Sequence, residues 1–170
     1  MDYPNRKANR LPKYNYSAPG AYFLTICTES RKSILSKIVG GGAFDAPSAQ
    51  LTKLGMIVKR NILSGNQIQG ITVDKFVIMP NHIHLILLVD PTAQDGTSRA
   101  PSPTNAVIPH FVSTFKRFCH RDIGYPIFQR SYHDHVIRDE EDYRMIWQYI
   151  DTNPVRWQED CFYTPTEDYL

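Results

Sequence analysis

Two histidines separated by a single residue have the type and spacing that metal binding uses. His82 and His84 flank Ile83 at the start of an apolar run. Side chains on a β-strand alternate between its faces, so both imidazoles would point the same way, roughly 6–7 Å apart along the chain. Two imidazoles at that spacing can hold one divalent metal ion. The same triplet also fits two surface histidines on a half-exposed strand, and the spacing alone does not exclude that interpretation.

A tyrosine and an asparagine near the C-terminal end form a second candidate pair. Tyr149 and Asn153 lie within WQYIDTNP (147–154), and a helix that turns about 100° per residue places them about 40° apart on one flank. Tyrosine offers a phenol oxygen as a nucleophile, and asparagine offers an amide oxygen that suits a hard cation. The alternative makes Tyr149 a boundary aromatic residue and Asn153 the C-terminal cap before Pro154. The buried stripe of this helix is predicted to contain Tyr143, Ile146, Trp147 and Ile150.

The spacing of apolar residues predicts the elements that must position these two pairs. Alternating segments rich in β-branched and aromatic residues predict strands at 21–28, 71–78, 82–89 and 132–138. Apolar residues at helical spacing predict helices at 48–61, from Val107 onward with Pro109 in the first turn, and from an Asp139 cap to Pro154. The order β-α-β-β-α-β-α predicts an α+β protein with a ferredoxin-like split βαβ unit. Its central sheet is antiparallel, and an additional C-terminal helix carries the candidate nucleophile.

Length and composition limit the class of protein. The 170 residues fit one domain over 1–170, with residues 1–20 as a basic N-terminal arm and residues 90–105 as a flexible loop. The longest uncharged apolar run, Ile83 to Val89, is too short to span a bilayer, which needs about 20 residues. Three widely spaced cysteines predict neither a disulfide framework nor a zinc site. We therefore expect a reduced cytoplasmic protein that does not enter a membrane.

The charges are distributed unevenly along the chain. Residues 1–60 contain ten lysines and arginines and three acidic residues, whereas residues 122–170 contain four arginines and eleven acidic residues. A basic N-terminal third favours a polyanionic partner. A solvated surface whose two halves attract each other explains the same distribution, and charge alone does not separate the two interpretations. The acidic end could also cover the active site.

Several separated motifs together resemble a known family. MPNHIHLILLV resembles the HUH motif, two histidines flanking a hydrophobic residue, of single-tyrosine transposases, and Tyr149 with Asn153 resembles the Tyr-x-x-x-Asn pair of that family. The segments NRKANRLPKYNYSAPGAYFLTICT, IFQRSYHDHVIRDEEDY and YIDTNPVRW are similar to the REP-associated tyrosine transposase branch. The resemblance runs in order over most of residues 3–160. It does not include residues 90–105 or the final ten residues.

The resemblance implies a metal-dependent reaction on DNA. His82, His84 and Asn153 would hold Mg²⁺ or Mn²⁺, and two imidazoles suit Mn²⁺ better than Mg²⁺. Tyr149 would attack a DNA phosphodiester and form a 5′-phosphotyrosine with a free 3′-OH, so that the strand can later be rejoined. The expected substrate is single-stranded DNA beside a hairpin, either REP-like or at a transposon end. The expected protein is a monomer or a homodimer in the cytoplasm, associated with the nucleoid.

The resemblance also implies which residues would contact DNA. Lysines and arginines would follow phosphates, and tyrosines of the N-terminal arm could stack on bases. His135 belongs to a second His-x-His triplet with His133 and is expected to support the site rather than bind metal. The predicted DNA-binding residues are Arg6, Lys7, Arg10 and Lys13 in the arm, Lys116 and Arg117 on the second helix, and Arg130.

Two other functions remain open at this level. The chain could be a domesticated module that binds hairpin DNA without cleaving it. It could also be a metal-dependent phosphodiesterase that uses water as the nucleophile and does not need Tyr149. Cleavage that survives Tyr149→Phe would favour the phosphodiesterase, whereas binding without cleavage would favour the module.

Overall fold

The computed structural model describes residue 15 and residues 18–42, 45–90 and 106–165. The predicted arm residues Arg6, Lys7, Arg10 and Lys13 lie outside the described residues, as does nearly all of the predicted loop at 90–105. The strands are β1 (Gly20–Cys27), β2 (Ser36–Val39), β3 (Ser48–Leu51), β4 (Ile71–Ile78), β5 (His82–Val89) and β6 (His133–Ile137). The helices are α1 (Lys53–Ser64), α2 (Val107–Ile123) and α3 (Glu140–Thr152).

The central sheet confirms the predicted fold class. Its strand order is β4-β5-β1-β6, and every neighbouring pair is antiparallel. Strand β1 pairs with β5 along its whole length, from Gly20 opposite Val89 to Cys27 opposite His82. This is the order of a ferredoxin-like split βαβ unit, with α3 added after the last strand.

The two faces of the sheet separate the core from the candidate site. Ile83, Leu85 and Leu87 of β5 join the main hydrophobic core, to which α1 and α2 contribute. Ile86 of the same strand lies in a second cluster, where it packs with Ile150 of α3. Strand alternation places His82 and His84 on the α3 face. The prediction that both imidazoles point the same way is therefore confirmed.

Helix α2 follows its predicted pattern. Pro109 occupies the first turn, where its missing N–H would have no helical partner. Gly124 ends the helix with φ of 94°, a left-handed conformation that glycine adopts without a steric penalty. The buried stripe contains Ile108, Phe111, Val112, Phe115 and Cys119, so Cys119 belongs to the core.

The helix predicted at 48–61 was wrong at its start. Residues 48–51 instead form β3, which pairs with β2 in a separate two-stranded sheet. The helix begins after Thr52, whose side-chain oxygen accepts a hydrogen bond from the Gly55 amide. Apolar residues at helical spacing cannot reveal this boundary, because the cap is held in place by the carbonyl of Leu35, which accepts from both the amide and the hydroxyl of Thr52.

Helix α3 begins as predicted and differs in one packing detail. The Asp139 side chain accepts a hydrogen bond from the Asp142 amide, which caps the helix. Ile150 is buried, but Trp147, predicted in the buried stripe, is 40% exposed. The Lys75 ammonium lies 3.6 Å from the centre of the Trp147 ring, so this ring packs against an edge strand rather than in the core.

None of the helices in the described part of the chain is both long and apolar enough to cross a membrane.

The close approach of α1 to Leu35 makes a stability prediction. A Cβ at Gly55 would overlap the Leu35 carbonyl oxygen, which the Thr52 hydrogen bonds hold in place. Helix propensity alone favours alanine over glycine by about 1 kcal/mol. We expect the steric overlap to outweigh this gain, so that Gly55→Ala lowers the free energy of unfolding by about 1–3 kcal/mol in urea denaturation.

Gly42→Ala is the matched control, because a Cβ there meets no atom within 4 Å. It should leave the urea midpoint nearly unchanged. A Gly55→Ala protein as stable as the wild type would show that the approach of α1 to Leu35 is looser than described.

Candidate active site

The two histidines of β5 lie side by side in a buried position. The His82 and His84 ring centres are 4.4 Å apart, and both side chains are almost completely excluded from solvent. Burial lowers the pKa of His82 to about 4, although nearby Asp160 acts in the opposite direction. Burial, followed by the proximity of His82, lowers the pKa of His84 as well. Both imidazoles are therefore neutral near pH 7, the form that binds metal.

Neighbouring side chains fix the orientation of both rings. The Asn81 amide nitrogen donates to the carbonyl of Phe162 at 2.8 Å, which leaves its oxygen to accept from His82 Nδ1 at 2.9 Å. His82 Nε2 then carries the free lone pair and faces the site. Thr25 is paired with His84 across β1 and β5. Its hydroxyl lies 2.8 Å from His84 Nδ1. This is the usual way in which proteins orient metal-binding histidines.

Helix α3 brings the tyrosine and the asparagine to these histidines. The Tyr149 hydroxyl oxygen lies 3.2 Å from His84 Nε2, and the side chain is 39% exposed, so it is reachable from solvent. Asn153 is buried and also serves as the C-terminal cap residue of the helix. Its side-chain oxygen has no hydrogen-bond partner among the described residues. The structure thus brings together all four residues that the sequence singled out.

Asp160 is a site residue that the sequence analysis missed. Its carboxylate oxygen Oδ2 accepts from the Tyr149 hydroxyl at 3.1 Å and from the Asn153 amide nitrogen at 2.8 Å. The same oxygen is 4.0 Å from His82 Nε2, and the side chain is 1% exposed. Its other oxygen accepts from the Phe162 amide at 2.7 Å.

The sequence contains only a weak signal for Asp160. It follows Pro154, where the helical spacing that located Tyr149 and Asn153 ends. A short 3₁₀ turn over Trp157–Glu159 redirects the chain and brings Asp160 back to the site. An acidic residue seven positions after Asn153 was the only available cue, and such spacing has no structural meaning outside a regular element.

The donor set fits a divalent cation. His82 Nε2 and Asn153 Oδ1 are both buried and have no hydrogen-bond partner within the described part of the chain. Ligand atoms of His82, His84 and Asp160 all lie within 4.8 Å of one another. Buried polar atoms without partners are costly, and a bound cation would satisfy them. Two neutral imidazoles, a carboxylate and an amide oxygen are a typical donor set for a first-row divalent metal.

The surroundings of Tyr149 favour its protonated form. Burial raises the pKa of the Tyr149 phenol, and the negative charge of Asp160 raises it further. The phenol is therefore a hydrogen-bond donor to Asp160 at neutral pH. A nucleophilic role would require positive charge at the site to lower this pKa, together with an acceptor for the proton.

The segment after α3 covers the two histidines. The Phe162 ring centre lies 4.8 Å from that of His82 and 6.0 Å from that of His84. The Trp157 ring centre lies 5.9 Å from that of His82. The Arg31 guanidinium lies 5.2 Å above the Phe162 ring and secures the segment from outside. The expected proximity of the C-terminal end to the site is seen for these residues, whereas residues 166–170 lie beyond the described part.

The remaining predicted contacts have varied positions. The Lys116 ammonium donates to the carbonyls of Gln129, Arg130 and Ser131, and burial lowers its pKa to about 8. Arg117 is exposed, with its guanidinium 5.5 Å from the Phe118 ring centre. The Arg130 side chain is also exposed. DNA contact by these residues stays a prediction, and Lys116 already has a structural role in holding the segment before β6.

His135 contacts helix α3 rather than the His82–His84 pair. Its Nε2 lies 2.8 Å from the Asp142 carboxylate in the first turn of α3. Its cross-strand neighbour is Phe23, whose ring stacks on His84 at a centroid distance of 5.2 Å. His135 is thus separated from the imidazole pair by Phe23.

The chain is similar to one protein in sequence and matches two solved structures. No family model matches it. An uncharacterised protein of Haemophilus influenzae is 32% identical over 176 residues, which cover 94% of this chain and 93% of that protein. A REP-associated tyrosine transposase, solved bound to a REP hairpin, superposes on this chain with a TM-score of 0.60 at 19% identity. The match covers 87% of this chain and 73% of the transposase chain. The match with a transposase candidate from Deinococcus radiodurans covers 84% of this chain and 95% of the other chain, at 22% identity and a TM-score of 0.43.

The sequence match and the structural match support different conclusions. The superposition with the REP-associated transposase shows a shared fold, and it confirms at that level the resemblance expected from the motifs. The identity and the nearly complete mutual coverage show kinship with the Haemophilus protein. The chain therefore belongs to the same family as the Haemophilus influenzae protein and has the fold of the REP-associated tyrosine transposases.

Proposed function

We propose that this protein is a metal-dependent transposase or endonuclease that cleaves and rejoins single-stranded DNA beside a hairpin. The observation that carries the proposal is the position of the Tyr149 hydroxyl, 3.2 Å from His84 Nε2 and 3.1 Å from Asp160. The partly exposed Tyr149 phenol thus lies beside the buried donor atoms of His84 and Asp160 of the same chain. A site that only binds DNA has no need for such an arrangement.

Four residues would hold the cation in this proposal. His82 Nε2, His84 Nε2 and Asn153 Oδ1 were expected as ligands, and Asp160 adds a carboxylate that suits Mn²⁺ or Mg²⁺. When bound, a divalent cation supplies positive charge to an oxygen of the scissile phosphate. The protein contributes the buried, oriented donor set, and Asn81 and Thr25 keep both imidazoles in place.

Tyr149 would act as the nucleophile on the phosphorus atom. A bond forms between the phenol oxygen and phosphorus, and the bond between phosphorus and the 3′ oxygen breaks. The phenol proton has an acceptor in Asp160, to which it is already hydrogen-bonded, and the leaving 3′ oxygen takes a proton from water. The 5′-phosphotyrosine retains the energy of the phosphodiester, so a 3′-OH can attack it and rejoin a strand without ATP.

The substrate class rests on the basic N-terminal arm and on the fold. The solved transposase that shares the fold was bound to a REP hairpin, and the arm of this chain interleaves basic residues with tyrosines. Lysines and arginines neutralise phosphates, and aromatic rings stack on unpaired bases. We therefore propose that Arg6, Lys7, Arg10 and Lys13 bind the DNA that presents the scissile bond to Tyr149.

The proposed nucleophile is tested by trapping the covalent product. Wild-type protein incubated with a labelled single-stranded hairpin oligonucleotide and Mn²⁺ should give a protein–DNA species that survives denaturation. Tyr149→Phe should give none, because phenylalanine lacks the attacking oxygen. Tyr125→Phe is the control, since Tyr125 is exposed on the surface and should form the species at the wild-type rate.

Two results would contradict this proposal in different ways. Cleavage without a covalent species, unaffected by Tyr149→Phe, would identify a phosphodiesterase that uses water. Hairpin binding without cleavage across a panel of REP-like and transposon-end sequences would identify a binding module.

The proposed ligands are tested by titration calorimetry with Mn²⁺. His82→Ala, His84→Ala and Asp160→Asn should each weaken binding at least about 10-fold, since each removes a donor. His133→Ala is the control, because His133 is exposed on β6 and should leave the affinity unchanged. Since burial lowers the pKa of His82 to about 4, the affinity should vary little between pH 8 and pH 6, unlike that of an exposed histidine pair.

Unchanged affinity in both histidine variants would exclude this metal centre. An Asp160→Asn protein that binds Mn²⁺ as tightly as the wild type would restrict Asp160 to accepting the Tyr149 proton and leave the histidines as the metal site.

The proposed arm contacts predict a change in salt dependence. Replacing Arg6, Lys7, Arg10 and Lys13 by alanine should make the plot of log affinity against log salt concentration shallower by about 3, because each phosphate contact on single strands contributes about 0.7. Lys53→Ala/Lys59→Ala on α1 is the control and should keep the wild-type slope. An unchanged slope in the arm variant, measured by fluorescence anisotropy with a hairpin oligonucleotide, would show that the arm does not bind DNA.

A further inference from the structure

Strand β4 contains an irregularity where it faces helix α3. The register with β5 shifts between Val73 and Lys75, so Asp74 is an extra residue in the strand, a β-bulge. On a regular strand, Asp74 and Lys75 would point to opposite faces. Here both side chains contact α3.

Three residues of α3 receive these contacts. The Tyr143 hydroxyl donates to the Asp74 carboxylate at 2.5 Å. The Lys75 ammonium lies 2.7 Å from the Asp151 carboxylate and 3.6 Å from the centre of the Trp147 ring. The three partners are spaced four residues apart, so they form one stripe along the helix. Two adjacent residues of the bulge thus hold more than two turns of α3.

This stripe lies on the opposite flank of the helix from the nucleophile. At about 100° per residue, Ile146 and Ile150 point to the sheet, while Tyr143, Trp147 and Asp151 lie on one side of that direction. Tyr149 and Asn153 lie on the other side. Rotation of the helix about its axis would therefore move the Tyr149 hydroxyl towards or away from His84.

Outside the bulge, polar contacts hold only the two ends of α3 among the described residues: Asp142 contacts His135 in the first turn, and Tyr149 and Asn153 donate to Asp160 at the end. Ile150 is the one buried residue in the helix, and Met145, Trp147 and Tyr149 are exposed. Apolar contacts through Ile146 and Ile150 are not directional, whereas the three contacts at the bulge fix direction. The two charged partners are 23% and 57% exposed, so the ion pair adds little to global stability.

We infer that the Asp74–Lys75 bulge is a positioning device that sets the rotation of α3 and thereby places the Tyr149 hydroxyl at the metal centre. Asp74 and Lys75 are positioning residues, because they act through Tyr143, Trp147 and Asp151 and do not touch the reacting atoms. The inference rests on the proposed function for its catalytic consequence. Its mechanical part, the restraint of α3 by the bulge, does not depend on that function.

The test combines loss of the ion pair with its restoration in reversed order. Lys75→Asp should slow formation of the covalent species at saturating hairpin DNA and Mn²⁺ by at least about 10-fold, since a displacement near 1 Å at a reacting group can cost about 100-fold. The charge-reversed pair Lys75→Asp/Asp151→Lys should return the rate to within about threefold of the wild type. Lys59→Met on α1 is the control and should react at the wild-type rate.

Two further measurements separate positioning from other roles. Hairpin affinity should stay within about twofold of the wild type in Lys75→Asp, because the DNA contacts are unchanged, whereas Mn²⁺ affinity should fall and be restored by the reversed pair, because Asn153 moves with α3. A parallel loss of hairpin affinity that the reversed pair does not restore would identify Lys75 as a DNA contact and overturn the inference. A Lys75→Asp rate equal to that of the wild type would also overturn it.

Hydrogen exchange tests the restraint without DNA or metal. The amides of residues 147–152 should exchange at least about fivefold faster in Lys75→Asp and return to wild-type protection in the reversed pair. If the wild type forms no covalent species, the proposed function fails, whereas unchanged exchange in Lys75→Asp would refute the restraint itself.

Discussion

The pairing of β1 with β5 is the constraint on which the site depends. It places Thr25 opposite His84 and buries two imidazoles 4.4 Å apart on one face of the sheet. Burial keeps both rings neutral, and fixed neighbours leave His82 Nε2 as a free lone pair without a partner among the described residues. A buried polar atom in that state is costly unless a ligand satisfies it. This nitrogen of His82 thus lowers the stability of the fold at the proposed metal site.

The rest of the chain completes what the histidine pair leaves open. Helix α3 crosses the same face and presents Tyr149 and Asn153 from one flank, and the 3₁₀ turn after it returns Asp160 to the same point. Tyr149, Asn153 and Asp160 are far from β5 in the sequence and lie outside that strand. Their convergence with the two histidines therefore depends on tertiary packing. The proposed metal centre and the proposed nucleophile therefore share one requirement, the correct seating of α3 on the sheet.

Much of this arrangement follows from periodicity. The bounds of β4 and β5 and the facing of His82 and His84 follow from alternation, and the flank shared by Tyr149 and Asn153 follows from the helical turn. Features that depend on contacts between distant segments were missed. The start of α1 depends on the Leu35 carbonyl, Trp147 packs on Lys75 of a bulged edge strand, and Asp160 belongs to no periodic element. Propensity and spacing hold no information on such contacts.

In the proposed site, one divalent cation binds between the two imidazoles, within reach of the tyrosine of the same chain. Anomalous diffraction at the manganese edge, from crystals soaked in Mn²⁺, would locate this cation. We predict a single strong peak about 2.1 Å from His82 Nε2 and from His84 Nε2, with Asn153 or Asp160 completing the ligands and the Tyr149 hydroxyl beside it. A peak at His133 and His135 instead, or none near His82, would show that the imidazole pair does not hold the metal.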